Sequence, residues 1–225
     1  MSTQIPTSVD ESEIQHFKKQ SANWWHPNAS LKLLRAMNSV RVSLVMDGLI
    51  DTEIARKELR NTAVPLTGLK VLDVGCGVYS LKSTGGFLTE ALAKLGCIVT
   101  GIDPCEDLIA IAIYHASQDE TLKNLTYIST TIEKFVENNS EQFDAVVTSE
   151  VVEHVNNQVE FITKCVKCVK PGRSIFITTI NKTIWSRIIA IWLGEYILRL
   201  IPRGTHEYQK FISPKDVEDI LKEST

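Results

Sequence analysis

The run Leu69-Lys70-Val71-Leu72-Asp73-Val74-Gly75-Cys76-Gly77, answered by Val99-Thr100-Gly101-Ile102-Asp103, restricts this chain to few folds. Its first half is a short apolar stretch stopped by glycines, the pattern of a buried parallel strand entering a tight turn. Gly75 and Gly77 lack a Cβ, so the backbone there can turn sharply and approach a ligand. A helical pattern from Phe87 to Leu95 follows, and a second β-branched run from Cys97 to Ile102 ends in an acid. In a nucleotide-binding α/β unit, an acid at that strand tip accepts hydrogen bonds from ribose hydroxyls. The unit therefore reads as a seat for an adenosine-containing cofactor.

Glycine spacing narrows the cofactor. A dinucleotide fold needs G-x-G-x-x-G, whose glycines turn the helix N-terminus toward a pyrophosphate. Here the loop runs Gly75-Cys76-Gly77-Val78-Tyr79-Ser80, without the third glycine, which disfavours an NAD-dependent dehydrogenase. The form V-L-D-V-G-C-G instead resembles motif I of class I methyltransferases, which bind S-adenosylmethionine.

The flanking pattern agrees. Glu106–Ala116 reads as a helix, Leu125–Ile128 and Phe143–Thr148 as strands, Gln158–Val169 as a helix and Ser174–Ile180 as a fifth strand. Strands alternating with helices predict a Rossmann-like, doubly wound, mostly parallel α/β sheet that binds ligands at the carboxyl ends of its strands. Asp73, Asp103 and the segment from Ser149 all fall at that edge. Ahead of it, residues 1–62 read as a helical extension. One helix starts near Asp10, a short one holds Leu31 to Met37, and a third runs from about Val40 to Arg60 with Leu44, Val45, Leu49 and Ile54 inward. Residues 63–225 then form the main domain. Residues 1–9 are polar and carry no arginine, so they do not read as a presequence.

With 225 residues, 44% of them apolar, the chain can bury a full core, and a net charge of −3 argues against a general nucleic-acid binder. The five cysteines are odd in number and fall inside predicted elements, as reduced thiols do. Cys165-x-x-Cys168 has no second pair for a metal and leads into Lys170-Pro171-Gly172, so a structural role is favoured.

A second constellation is Ser149-Glu150-Val151-Val152-Glu153-His154. If it opens a helix, positions i, i+3 and i+4 bring Glu150, Glu153 and His154 to one face. Two carboxylates and an imidazole suit Mg²⁺, Mn²⁺ or Zn²⁺. The alternative is a turn in which His154 is a base or has no chemical role.

Together these residues resemble the ubiquinone (coenzyme Q) biosynthesis O-methyltransferase family. The matching segments are Trp24-Trp25, Met37 to Arg41, Asp73 to Gly77, Gly101 to Pro104, Ser149 to Val155, Ile177 to Thr183, Glu195 to Ile197 and Pro202 to His206. They span nearly the whole chain. The resemblance implies that Arg41 receives the carboxylate of S-adenosylmethionine, where a guanidinium fork fits well. It also implies that Gly75 lies against the cofactor, Asp103 holds the ribose and Ser149 lines the pocket. Glu150, Glu153 and His154 match the family's ligands for a divalent metal, Mg²⁺ foremost, and supply the catalytic groups, with His154 as general base if no metal binds. The implied substrate is a polyprenylated catechol, and the implied location is the matrix side of the mitochondrial inner membrane, as a peripheral protein. A multi-subunit coenzyme Q assembly is an implied partner; nucleic acid is not.

Residues 183–201 are rich in Ile and Leu and hold Trp185 and Trp192, interrupted by Arg187, Glu195 and Arg199 and flanked by Lys182 and Arg203. Such a segment suits either a lid over the active site or a helix lying in the membrane interface. Two features depart from the family. Residues 78–85 lengthen the turn after Gly77, and the chain stops at Thr225, before the strands that end the family's sheet. The competing reading is a catalytically silent relative that serves as an interaction subunit.

Overall fold

The computed structural model describes residues 30–77, 86–179 and 212–224. Five strands form one all-parallel sheet: β1 (Lys70–Val74), β2 (Ile98–Asp103), β3 (Leu125–Ser129), β4 (Phe143–Ser149) and β5 (Val169–Thr178). Their order is β3-β2-β1-β4-β5. The chain runs outward from β1 to β3, then crosses back to β4 on the other side of β1. The carboxyl ends of β1 and β4 thus flank the point where strand order reverses, and there an open α/β sheet leaves a crevice.

Side-chain alternation decides which helix covers which face. Val71 of β1, Ala145 and Val147 of β4 and Phe176 of β5 point into one core, which also takes Val45, Leu49 and Ile50 of α1 (Ser30–Asp51) and Leu88, Leu92 and Ala93 of α2 (Phe87–Lys94). Leu72, Val146, Ile175 and Ile177 point the other way. That second core is closed by α4 (Ile132–Val136), α5 (Gln158–Cys168) and α6 (Pro214–Ser224). Between β2 and β3, α3 (Glu106–Ser117) sits beside α2, joined to it by His115 Nδ1 and Glu90 Oε1 at 2.7 Å. Asn157 caps α5 by accepting the Glu160 N–H at 3.1 Å, as an N-cap asparagine does.

At the amino end of the sheet, Asp144 gathers three partners. Its Oδ2 accepts the Lys70 N–H at 2.9 Å, its Oδ1 accepts from Lys170 Nζ at 2.9 Å, and Arg173 Nε lies at 3.6 Å. Burial alone would raise this carboxyl, but Lys170, the Lys70 amide and Arg173 together hold it below its ordinary value. The clasp ties β1, β4 and β5 at the end remote from the cofactor turn.

Several expectations need correction. Residues 31–37 and 40–60 do not form two helices: one continuous α1 runs Ser30–Asp51, and only a 3-10 turn at Lys57–Leu59 follows. Neither glycine nor proline interrupts Met37 to Arg41, so nothing there stops a helix already started. Val45 and Leu49 face the core as expected, whereas Leu44 is 48% exposed because it lies one position off the stripe. The fifth strand starts earlier than predicted, at Val169, with a register irregularity opposite Phe143 and Ala145 that accommodates Pro171 and Gly172. All five cysteines are free, and Cys165 and Cys168 are buried in the second core, as a structural role requires. The predicted helix near Asp10 and the stretch 183–201 lie outside the described residues.

Candidate active site

The glycine turn is built as its sequence requires. Gly75 has φ 79°, which L side chains avoid, and a Cβ there would run into Val151 Cγ2. The Gly75 and Cys76 amides both donate to Ile102 O, at 2.8 and 3.1 Å, which seats the turn over the end of β2. Gly86 N–H then donates to Cys76 O at 3.0 Å, where the chain re-enters α2.

Asp103 ends β2 beneath this turn. It is 1% exposed; Oδ1 accepts the Cys105 N–H at 2.8 Å and Oδ2 the Gly77 N–H at 3.1 Å. Burial pushes its carboxyl up to about 7, against the pull of those two amides. Asp73, next to last in β1, is in a similar state. Burial raises it to about 6, although Thr89 Oγ1 donates to Oδ2 at 2.6 Å and Arg41 adds its charge.

Arg41 reaches this place from α1. Its Nη2 lies 3.9 Å from Glu150 Oε1, and Glu150, Asp73 and Glu153 all act on it electrostatically, in that order, against a larger effect of burial. One guanidinium therefore stands among three carboxylates above the reversal of strand order. Asn38 Nδ2 donates to Phe87 O at 3.2 Å and joins α1 to the start of α2.

Beyond β4, Ser149 Oγ is 2.7 Å from Thr178 Oγ1, and the Glu150 N–H donates to Thr178 O at 2.6 Å. The expected helix over 149–154 does not form. Glu150 has φ 55°, and only a three-residue 3-10 turn, Val152–His154, follows. A left-handed residue followed by one tight turn breaks the i, i+3, i+4 alignment on which the metal reading depended. Glu153 turns inward and is 3% exposed, with Oε2 accepting from Thr179 Oγ1 at 2.8 Å and Oε1 buried without a partner. Burial, then repulsion from Glu150, raises its carboxyl, while His154 pulls it back. Among the described residues no group of three His, Cys, Asp or Glu side chains is placed to hold an ion. Glu150, Glu153 and His154 thus do not fit a divalent metal in this arrangement.

The structure therefore brings Arg41, Gly75, Ser149, Glu150 and Glu153 to one rim, while Asp103 sits at that rim beneath the turn. It also adds residues that spacing alone did not single out: Thr89, which holds Asp73, and Thr178 and Thr179, which hold Ser149 and Glu153. The signals for the last two were their place at the end of a predicted strand and in the family-matching segment Ile177 to Thr183.

The sequence that builds this site matches a known family. The profile of the methyltransferase domain family matches residues 72–177. The mitochondrial ubiquinone biosynthesis O-methyltransferase of Rattus norvegicus is 43% identical over 216 residues, covering 96% of this chain and 59% of the rat protein. The ubiquinone biosynthesis O-methyltransferase of Agrobacterium fabrum is 38% identical over 218 residues, covering 97% of this chain and 82% of its own. The chain belongs to the ubiquinone biosynthesis O-methyltransferase family. It spans about three fifths of the length of the mitochondrial relatives it matches. Among solved structures, phosphoethanolamine N-methyltransferase 2 of Haemonchus contortus, in complex with S-adenosyl-L-methionine, superposes with a TM-score of 0.51 at 18% identity. That match covers 77% of this chain and 36% of the other. At this identity the likeness speaks for the class I methyltransferase fold alone.

Proposed function

We propose that this member of the ubiquinone biosynthesis O-methyltransferase family transfers a methyl group from S-adenosylmethionine to a catechol hydroxyl of a polyprenylated ubiquinone precursor. The observation that carries the reading is Arg41, a guanidinium from α1 set among Asp73, Glu150 and Glu153 beside the motif I turn. That donor set suits an amino-acid end: the guanidinium for its carboxylate, the acids for its ammonium. Residues 1–62 are assigned to the segment ahead of the cofactor domain, whose helix α1 delivers Arg41, and residues 63–225 to the cofactor domain.

Bound S-adenosylmethionine would supply a sulfonium methyl carbon for in-line attack by a phenol oxygen, the C–S bond breaking with its electrons kept by sulfur. This chain's residues do the rest. Arg41 holds the carboxylate, Asp103 the ribose hydroxyls, and Ser149 the pocket wall between them. Glu153, fixed on one oxygen by Thr179, keeps the other bare for the phenol proton; His154, next along the same turn, is the second candidate base. Positioning supplies much of the rate in such a transfer.

Mitochondrial residence follows the names of the eukaryotic relatives, while a peripheral place on the inner membrane and membership of a coenzyme Q assembly rest on the family resemblance; all three belong to the proposal. Among the described residues no helix is long and apolar enough to cross a membrane. The test is methyl transfer to a short-chain polyprenyl catechol, with calorimetry of S-adenosylhomocysteine beside it. Methylated product that disappears in Arg41→Ala is expected. Absence of cofactor binding at millimolar ligand in the folded parent would instead support the silent subunit.

A further inference from the structure

We propose that Thr89 is a positioning residue for the amino-acid end of the cofactor: its hydroxyl ties one oxygen of Asp73 and leaves the other to receive the cofactor's ammonium group. The inference rests on the cofactor reading above, and it singles out one of the three acids that act on Arg41.

Thr89 stands in the first turn of α2, between Leu88 and Leu92 of the first core. A hydroxyl buried there is costly unless it is hydrogen-bonded. In a helix, a threonine can bond a carbonyl three or four residues back along its own chain. Thr89 instead donates across to β1, with Oγ1 2.6 Å from Asp73 Oδ2. Two apolar side chains of similar shape would serve a core about as well as this buried pair. Packing therefore does not require it.

The bond leaves Asp73 half used. Among the described residues no hydrogen bond falls on Oδ1. Arg41 acts on the same carboxylate from α1, and Asn38 Nδ2, donating to Phe87 O at 3.2 Å, joins that helix to the start of α2. Asp73 is thus served by two helices that are tied to each other. A hydroxyl donated to a carboxylate favours the ionised form, which an ammonium needs. Burial is the larger effect and holds Asp73 up at about 6; Thr89 and then Arg41 draw it down. Among the described residues, the other titratable groups that act on or with Asp73 are Cys76 of the turn, Asp103 of β2 and Tyr127 of β3. Glu150 and Glu153 act on Arg41 beside it.

The experiment compares two ligands on the full chain by calorimetry. One is S-adenosylhomocysteine. The other is its deaminated analogue, adenosine joined through sulfur to a butyrate chain, which keeps the ribose and the carboxylate and lacks only the amine. The parent should prefer S-adenosylhomocysteine, and that preference should shrink below about pH 6 as Asp73 takes up its proton. Thr89→Val should weaken S-adenosylhomocysteine about tenfold at about pH 6, the order expected for one hydrogen bond to a charged group, and leave the analogue unchanged. Without the hydroxyl, Asp73 protonates more readily, so the loss should narrow toward about pH 8. Asp103 titrates in the same window, but both ligands carry the ribose, so its effect cancels in their ratio. Thr89→Ser keeps the donor and should restore the preference. Thr89→Ala repeats the test with a smaller side chain, circular dichroism checks each fold, and the pH dependence of the parent needs no variant. Equal losses for both ligands would make Thr89 a structural residue of α2 and overturn the proposal alone. So would a parent preference that does not change with pH, or a full preference in Thr89→Val and Thr89→Ala. A folded parent that binds neither ligand at millimolar concentration overturns the cofactor reading and the proposal with it.

Discussion

At the scale of single residues, the acids at the strand tips are the informative groups, and their burial makes pH their natural probe. Asp103 is held up at about 7 by burial, so the folded chain keeps this proton to higher pH than the unfolded chain. The folded state then binds more protons between the ordinary carboxylate range and pH 7, and stability falls as pH rises through that window. Ribose hydroxyls donate, which favours the ionised form. Affinity for S-adenosylhomocysteine should therefore rise over the same window, and Asp103→Asn should flatten both trends. Asp103→Ala should weaken binding by about 1–3 kcal/mol, the cost of leaving hydroxyl groups without an acceptor. Calorimetry across pH 5.5 to 8 measures all three; unchanged affinity in folded Asp103→Ala removes the residue from the ribose site. Asp103 was legible in the sequence because an acid closing a β-branched run has few other reasons to be there. The Gly77 N–H bonded to it was not, since no spacing rule reports how a turn settles. Glu150 shows the same limit: its left-handed φ is set by the pairing of Ser149 with Thr178, two strands' worth of context that a local helical pattern omits.

Among elements, α1 carries the most consequence. It packs Val45, Leu49 and Ile50 onto the sheet and from the same helix delivers Arg41, one turn above Val45. A defect in its packing should thus appear in binding as well as in stability. Leu49→Ala, at a fully buried position, should cost about 2–5 kcal/mol in urea unfolding. It should also weaken cofactor affinity at temperatures where the variant stays folded. The control is Leu92→Ala in α2, equally buried in the same core but bearing no proposed ligand contact. If both variants lose stability and neither loses affinity, α1 is only a cover. Apolar spacing alone divides α1 into two helices. A helix laid across a sheet can expose Val40 and Leu44 on its outer side without ending there. Strands β1, β2 and β4 were readable because mostly apolar, β-branched runs between turns have few alternatives in a parallel sheet. Helix α4 has five residues, too few for a 3.6-residue period to show, and only its place between β3 and β4 reveals it.

For the whole molecule, the sheet's two faces are closed by segments far apart in sequence. Ile212 and the α6 residues Val217, Ile220 and Leu221 join the core made by α4 and α5, and Thr163 Oγ meets Ser224 Oγ at 2.9 Å. Removing residues 212–225 should uncover that face. The expected results are a lower urea midpoint and increased binding of an apolar dye, with the α1 and α2 face still protected in hydrogen exchange. A midpoint equal to the parent's would mean that α6 adds nothing to the fold. The chain order of the five strands followed from sequence pattern, but their lateral order did not. Only the return crossing to β4 creates the crevice, and that is a property of the assembled sheet. The Asp144 clasp gives this layout a further consequence. The bonds that hold β1, β4 and β5 in register sit at the end opposite the chemistry, so sequence changes at the upper rim need not disturb the base that supports them. Loops above β1, β4 and β5 can lengthen, shorten or exchange residues while the foundation stays put. Such an architecture is well suited to acquiring new substrates without first having to relearn how to fold.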